Sequence, residues 1–183
     1  ECFGPEASAF AVTQLLGDVI ENVEPAPPGP RDVVVQLGAS GVCHSDLSIK
    51  NGFVPMAPGM VLGHEITGAI ESVGPDAAEA LANEPGGPRP KLTPGRTFAV
   101  YPWIGCGTCA VCKSGDENIC LKARSLGVFQ DGGYARYVIV PDAKYCIDIT
   151  GLDPAEAAPL ACSGVTTYSA LKKFGPRLQH EPI

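Results

Sequence analysis

The sequence is poor in tryptophan, methionine, histidine and basic residues. Its 183 residues include one tryptophan, two methionines and three histidines. Lysine and arginine number 13 against 20 acidic residues, which gives a net charge of −7 with no basic cluster for nucleic acid or an anionic membrane. No apolar run approaches the ~20 residues that span a bilayer. We therefore expect a globular protein without a signal peptide, a membrane segment or a nucleic-acid partner.

Glycine and proline are abundant instead, at 22 and 18 residues, which favours turns and short strands over long helices. The strongest predicted strand is 31–39, and it leads into a turn and a short helix that ends near Lys50. Two short strands are predicted within 10–20, with a turn at Gly17 and Asp18. Residues 74–94 are predicted to form a surface excursion. Further strands are predicted at 66–73, 97–101, 134–140 and 145–149.

Two helices are predicted to close the chain. Asp153 is placed to cap the first, with Pro154 at its first position. The second is predicted over 163–174 and ends at Gly175. Strands first and helices last predict a mainly β fold, in which short C-terminal helices pack on the end of a twisted antiparallel barrel.

Four of the eight cysteines stand at C-x2-C-x2-C-x7-C spacing: Cys106, Cys109, Cys112 and Cys120. This spacing allows four thiolates to meet at one tetrahedral zinc ion, with no open position, as in a structural site. Two disulfides or an iron–sulfur cluster are the alternatives. Metal use in a reducing compartment, the cytoplasm, explains such bunching better than a secreted disulfide scaffold.

A second set of soft ligands is scattered along the chain. Cys43 follows the predicted strand 31–39, His64 precedes another strand, and Cys162 lies between the two predicted helices. Two thiolates and one imidazole with a fourth position open form the catalytic arrangement of zinc. The alternative is a buried cysteine pair and a hydrogen-bonded core histidine.

The residues around these ligands carry a family resemblance. Segments 41–47 (GVCHSDL), 63–65 (GHE) and 159–167 (PLACSGVTT) surround the three ligands, and 132–135 (GGYA) precedes a strand. Together with the four-cysteine loop they make the chain resemble the zinc-dependent medium-chain alcohol dehydrogenases. The resemblance covers about residues 14–175.

The resemblance implies a GroES-like, partly open β-barrel with a zinc-binding lobe. The catalytic domain would span 1–175, the lobe about 101–125, and 176–183 would begin the link to a Rossmann domain. Its implied activity is hydride transfer between an alcohol, or an aldehyde or ketone, and NAD(P), with Zn²⁺ as Lewis acid. Two zinc ions per chain, a small-molecule substrate and a homo-oligomer of the full-length enzyme are implied as well.

The resemblance also implies roles around the metal. Ser45 would pass the substrate proton outward, or else cap the helix. Asp46 would hydrogen-bond His64, or else be a solvated first-turn acid. Glu65 would lie behind the zinc or be an ordinary strand residue. His44 would lie near the cofactor pyrophosphate or assist the proton relay.

Two further features concern the pocket and the relay. Trp103 and Phe53 are candidates for the substrate-pocket wall, with ordinary core packing as the alternative. Several family members have a histidine five residues after the first cysteine, where this chain has Ser48. The outer proton step would then use water or His44.

No G-x-G-x-x-G follows a strand and opens a helix in this sequence. We therefore expect the chain to be part of a longer enzyme and inactive by itself. From a different class, a stand-alone zinc-stabilised binding module is the alternative. A strand and glycine-rich turn encoded soon after Ile183 would favour the enzyme, and a natural stop there would favour the module.

Overall fold

A computed structural model describes residues 8–13, 17–22, 27–55, 57, 59–83, 92–93 and 95–175. The predicted link at 176–183 lies outside the described residues, as do residues 84–91 and 94 of the predicted excursion. In chain order the elements are β1 (Ser8–Thr13), β2 (Gly17–Asn22), β3 (Val33–Gly41), α1 (His44–Lys50), β4 (Glu65–Val73), α2 (Ala77–Asn83), β5 (Thr97–Val100), α3 (Ala110–Lys113), β6 (Tyr137–Val140), β7 (Cys146–Asp148), α4 (Pro154–Ala157) and α5 (Ser163–Phe174). None of the helices in the described part is long and apolar enough to cross a bilayer.

The main sheet has five antiparallel strands in the order β6-β3-β4-β5-β7, and β1 and β2 form a separate two-stranded sheet. The mainly β prediction is confirmed. Strands β6 and β7 lie at opposite edges, yet only residues 141–145 join them, three of which form a 3-10 turn at Ala143–Tyr145. Such a connection reaches about 16 Å, less than the ~19 Å width of a flat five-stranded sheet. The sheet therefore curls towards a barrel.

The core lies inside this curl. It combines the inward side chains of all five strands with residues from the loops and from α2. Its buried members are Val33, Val35, Ile66, Ile70, Ala77, Leu81, Phe98, Val100, Ile104, Leu126, Val138, Val140, Ala143, Tyr145 and Cys146.

Two sequence predictions are wrong here. The excursion at 74–94 is not all surface loop, because α2 buries Ala77 and Leu81 in the main core. The alanine-rich stretch forms a short amphipathic helix, with Ala77 and Leu81 on its buried side. Gly17 and Asp18 do not form a turn but begin β2, where Gly17 pairs with Thr13.

The C-terminal helices follow the prediction closely. The Asp153 carboxylate accepts hydrogen bonds from the backbone N–H groups of Ala155 and Glu156, which caps α4. The buried Thr67 hydroxyl donates to the Pro154 carbonyl at 2.9 Å and so ties α4 to the centre of the sheet. Helix α5 has the predicted bounds, but none of its twelve residues is buried in the described structure.

Strands β3 and β4 approach unusually closely at one point. Leu37 pairs with Gly68 and Ala39 pairs with Thr67, so Gly38 is the extra residue of a β-bulge. A Cβ on Gly68 would lie 2.1 Å from the Gln36 carbonyl oxygen, whereas one on Gly38 would meet nothing closer than 3.5 Å. Only one of the two glycines is therefore required by close backbone packing.

We predict that Gly68→Ala destabilises the fold by about 1–3 kcal/mol, because the added methyl group must push two paired strands apart. Gly38→Ala is the matched control and should change the free energy of unfolding by less than about 1 kcal/mol. Urea unfolding of both variants measures the difference. Equal stabilities would contradict the close approach of β3 and β4.

Candidate metal centres

Three sequence-distant donors meet at one end of the sheet. Cys43 follows β3 and immediately precedes α1, His64 immediately precedes β4, and Cys162 immediately precedes α5. Their ligand atoms and one carboxylate oxygen of Glu65 all lie within 4.8 Å of one another. The two sulfur atoms are 3.9 Å apart. A tetrahedral zinc ion with ~2.3 Å bonds to sulfur needs a sulfur–sulfur separation of about 3.8 Å.

Asp46 connects two of these donors. One carboxylate oxygen lies 3.1 Å from Nδ1 of His64, and the other accepts the backbone N–H of Cys43 at 2.9 Å and the hydroxyl of Tyr134 at 3.0 Å. Asp46 is only 3% exposed, so the alternative of a solvated first-turn acid is wrong. Burial raises the pKa of Asp46, but hydrogen bonds from His64, the Cys43 backbone and Tyr134 lower it by more than burial raises it. The carboxylate therefore stays ionised.

Backbone pairing fixes the position of His64. Residues 61–63 pair with 132–134 through three hydrogen bonds, from Gly132 to Val61, from Gly133 to Gly63 and from Tyr134 to Leu62. Gly63 has φ +94°, and a Cβ there would lie 2.6 Å from the Tyr134 ring. The glycine before the histidine is thus required by both its conformation and its surroundings.

The His64 ring has one nitrogen to spare. The ring is fully buried, Nδ1 faces Asp46, and Nε2 has no hydrogen-bond partner among the described residues. A buried polar atom without a hydrogen-bond partner is energetically costly. Because Nε2 faces the two sulfur atoms, a metal ion bound between the three atoms would remove this cost. The donor set of two thiols, an imidazole and a nearby carboxylate fits a divalent zinc ion.

The pKa values of the two thiols also favour a bound cation. Burial raises the pKa of the Cys43 thiol, but hydrogen bonds from the backbone and hydroxyl of Ser45, together with the nearby side chains of His64 and Cys162, lower it below the ordinary value. Burial and the neighbouring Cys43 raise the pKa of Cys162 to about 12. Two adjacent thiolates repel each other, and a bound cation would offset that repulsion and release the second proton.

The remaining predicted residues differ in their placement. Ser45 is exposed, and its hydroxyl lies 3.7 Å from the Cys43 sulfur atom. It is not the helix cap, because Cys43 occupies that position. His44 is exposed at the first position of α1. Glu65 is only 5% exposed and contributes an oxygen to the cluster.

The two predicted pocket residues differ in their surroundings. The Trp103 ring centre lies 5.4 Å from that of His64, and its indole N–H donates to the Ala161 carbonyl at 3.3 Å. Trp103 therefore covers one side of the cluster. Phe53 is 79% exposed, which contradicts the core alternative and leaves its role at the pocket a prediction.

The four-cysteine loop forms a second, compact cluster. Three of the sulfur–sulfur distances are 3.4, 3.8 and 3.9 Å, and all four ligand atoms lie within 4.8 Å of one another. A disulfide requires about 2.05 Å, so the disulfide alternative is wrong for this structure. The enclosed space suits one tetrahedral ion rather than a cluster of several.

Backbone N–H groups point at these sulfur atoms. Cys120 accepts from the backbone of Cys106 at 3.4 Å and of Lys122 at 3.3 Å, and Cys109 accepts from Cys112 at 3.4 Å. Such donors stabilise thiolates, the form in which cysteine binds metal. The lobe is therefore built to hold four charged sulfur atoms once a cation balances them.

Comparison with known proteins decides the family. Residues 29–151 match the family model of the alcohol dehydrogenase GroES-like domain. The chain belongs to the alcohol dehydrogenase GroES-like domain family. The resemblance drawn from the motifs and the GroES-like fold class are both confirmed.

Among its relatives is an NAD-dependent alcohol dehydrogenase of Saccharolobus solfataricus, which is 40% identical over 158 residues. That match covers 81% of this chain and 42% of the relative, so the chain spans less than half the relative's length. A crystal structure of D-arabinose dehydrogenase from Sulfolobus solfataricus superposes with a TM-score of 0.76 at 30% identity, over 93% of this chain and 48% of that one. Acetophenone reductase from Geotrichum candidum, in complex with NAD, has a TM-score of 0.76 at 31% identity, over 96% and 49%.

In this GroES-like chain, Glu117 attaches the lobe to the sheet. It accepts hydrogen bonds from Lys144 Nζ at 2.7 Å, the Tyr145 hydroxyl at 2.5 Å and the Gly105 backbone N–H at 3.1 Å. Lys144 and Tyr145 belong to the turn between β6 and β7, whereas Gly105 precedes the first lobe cysteine. Sequence patterns did not predict Glu117 or Tyr134, because their partners are distant along the chain.

We predict that Glu117→Gln lowers the free energy of unfolding by about 1.5–3 kcal/mol at pH 7, the range for hydrogen bonds to a charged group. Burial raises the pKa of Glu117, but Lys144, Tyr145 and Gly105 lower it by more than burial raises it, so the pKa lies below its ordinary value. The difference between wild type and variant should therefore persist above the unfolded pKa of about 4.3 and vanish as the pH falls through the folded pKa.

Urea unfolding from pH 7 to pH 3 measures this difference. The neighbouring carboxylate of Asp116 is exposed, and Asp116→Asn is the matched control that should change stability little. A Glu117→Gln penalty that stays constant down to pH 3 would contradict the ionised hydrogen-bond network.

Proposed function

We propose that this chain is the catalytic domain of a zinc-dependent alcohol dehydrogenase that exchanges hydride between an alcohol and NAD(P). The carrying observation is the convergence of Cys43, His64 and Cys162, with Nε2 of His64 buried and unpartnered among the described residues. Three soft donors around an open position favour a catalytic metal over a structural one. Membership in the alcohol dehydrogenase family gives that centre its chemistry.

Zinc is the proposed metal in both clusters, which makes two ions per chain. Cys106, Cys109, Cys112 and Cys120 would hold the structural ion, and Cys43, His64 and Cys162 the catalytic one. At the catalytic site, a zinc ion would act as a Lewis acid that polarises the substrate oxygen. The two thiolates would balance its charge, so the ion together with its three ligands would carry no net charge.

Asp46 and Glu65 are proposed to support the three ligands. By accepting a hydrogen bond from Nδ1–H of His64, Asp46 would keep the ring in the tautomer that presents a lone pair at Nε2. Glu65 places a second negative charge next to the same donors. We propose that its carboxylate tunes the strength with which the thiolates and the imidazole bind metal.

Ser45 and His44 are proposed to carry the proton. The Ser45 hydroxyl lies 3.7 Å from the Cys43 sulfur atom on the exposed side of α1, where a substrate hydroxyl could donate to it. His44 is exposed next to it and could pass the proton to solvent or contact the cofactor pyrophosphate. Ser48 cannot act as a base at neutral pH, so this chain would rely on His44 or water for the last step.

The substrate is proposed to be a small alcohol or carbonyl compound. Trp103 beside His64 supplies an aromatic wall, and Phe53 remains the second proposed wall residue. The similar proteins include an alcohol dehydrogenase, a sugar dehydrogenase and a ketone reductase, so several substrate classes share this scaffold.

The NAD(P) site is proposed to lie outside this chain, because the match covers 42% of an NAD-dependent relative. We propose residues 1–175 as the catalytic domain, about 101–125 as its zinc lobe, and 176–183 as the start of a link to a Rossmann domain. The full-length enzyme is proposed to be a homo-oligomer. The seven cysteines of the described residues are all free, which supports a reducing, cytoplasmic location.

We predict two zinc ions per wild-type chain and one in Cys43→Ser, because a serine hydroxyl is a poor substitute for a thiolate ligand. In the full-length enzyme the same change should reduce turnover by about 10²–10⁴-fold, which corresponds to the several kcal/mol that a Lewis acid supplies. Elemental analysis and steady-state kinetics provide the two measurements.

Cys146→Ala is the matched control, since Cys146 is a buried thiol of β7 that belongs to neither cluster. It should retain both metals. Full turnover of Cys43→Ser, or a wild-type chain with a single zinc ion, would refute the proposed catalytic centre.

A further inference from the structure

Tyr134 contacts both segments that carry the first two donors. Its backbone N–H donates to the Leu62 carbonyl at 2.9 Å, two residues before His64, and its ring packs against Gly63. Its hydroxyl reaches the other segment, where it lies 3.0 Å from a carboxylate oxygen of Asp46 and 3.2 Å from the Gly41 carbonyl oxygen. One side chain thus spans the space between the residues before Cys43 and those before His64.

The chemistry of this hydroxyl allows only one direction of donation. The Asp46 carboxylate and the Gly41 carbonyl are both acceptors, so the phenol must supply the proton. The bond to Asp46 is the shorter one and is strengthened by the charge of the carboxylate. With Tyr134, the backbone of Cys43 and Nδ1 of His64 in place, both oxygens of a carboxylate that is 3% exposed have partners.

Removing the hydroxyl would leave one oxygen of Asp46 with the Cys43 backbone as its only donor among these contacts. A buried carboxylate that loses a donor is free to rotate away from its remaining partners. Such a rotation weakens its hold on His64 and loosens the ring whose Nε2 faces the two sulfur atoms. The effect would not extend to the four-cysteine lobe, with which Tyr134 shares no hydrogen bond among the described residues.

We propose that Tyr134 is a positioning residue of the catalytic metal centre, which acts through Asp46 to hold Cys43 and His64 in metal-binding geometry. This inference rests on the proposed function of that centre. Loss of a group that orients a metal ligand typically costs 10–100-fold in metal affinity. We expect a loss in this range for the catalytic ion and none for the structural ion.

The test is Tyr134→Phe in the full-length chain, loaded with zinc and challenged with a chelator. Zinc release should show two phases, and the phase missing from Cys43→Ser identifies the catalytic ion. We expect that phase to accelerate about 10–100-fold in Tyr134→Phe, with the structural phase unchanged. Cobalt substitution adds a spectroscopic readout, because a shifted ligand field reports ring orientation directly.

Tyr137→Phe is the matched control. It removes a hydroxyl from β6 three residues away and keeps the ring that Arg136 covers at 5.8 Å. Unchanged catalytic release in Tyr134→Phe, or equal acceleration of both phases, would overturn the positioning role while leaving the proposed function intact. A wild-type chain without the catalytic phase would overturn the proposed function as well.

Discussion

The contact between Asp46 and His64 is the constraint on which the proposed catalytic centre depends. Both side chains are at most 3% exposed, and the 3.1 Å separation of carboxylate oxygen and Nδ1 joins the start of α1 to the residue before β4. A buried carboxylate is tolerated only when its oxygens have donors, and here every donor belongs to a segment that carries or supports a ligand. The chain therefore assembles much of the ligand geometry through its own hydrogen bonds.

The two clusters reach similar geometry by different routes. The four-cysteine lobe is local: its sulfur atoms come from a single loop and are oriented by nearby backbone N–H groups. The donors of the other cluster are far apart along the chain, and the pairing of residues 61–63 with 132–134 helps to place His64 next to Cys43. The first cluster is therefore set mainly by local turns, and the second by contacts between distant segments.

This difference explains what could be predicted from sequence. Cysteine spacing, the Asp153 cap and the bounds of α5 are local patterns, and the structure agrees with them. The roles of Tyr134 and Glu117 depend on partners 12 to 93 residues away, which no local pattern encodes. Helix α2 was missed because its residues lie in a stretch rich in glycine, proline and alanine, where burial of Ala77 and Leu81 decides the structure.

Helix α5 has a consequence for the third donor. An isolated helix of twelve residues is only marginally stable in water. None of the residues of α5 is buried in the described structure, and Cys162 forms its N-terminal boundary. Fraying of that helix would therefore move a sulfur atom, whereas Cys43 and His64 are anchored by Asp46. A surface that buried α5 would also hold the Cys162 sulfur atom in place, so packing against α5 and metal binding at the proposed centre would be thermodynamically linked.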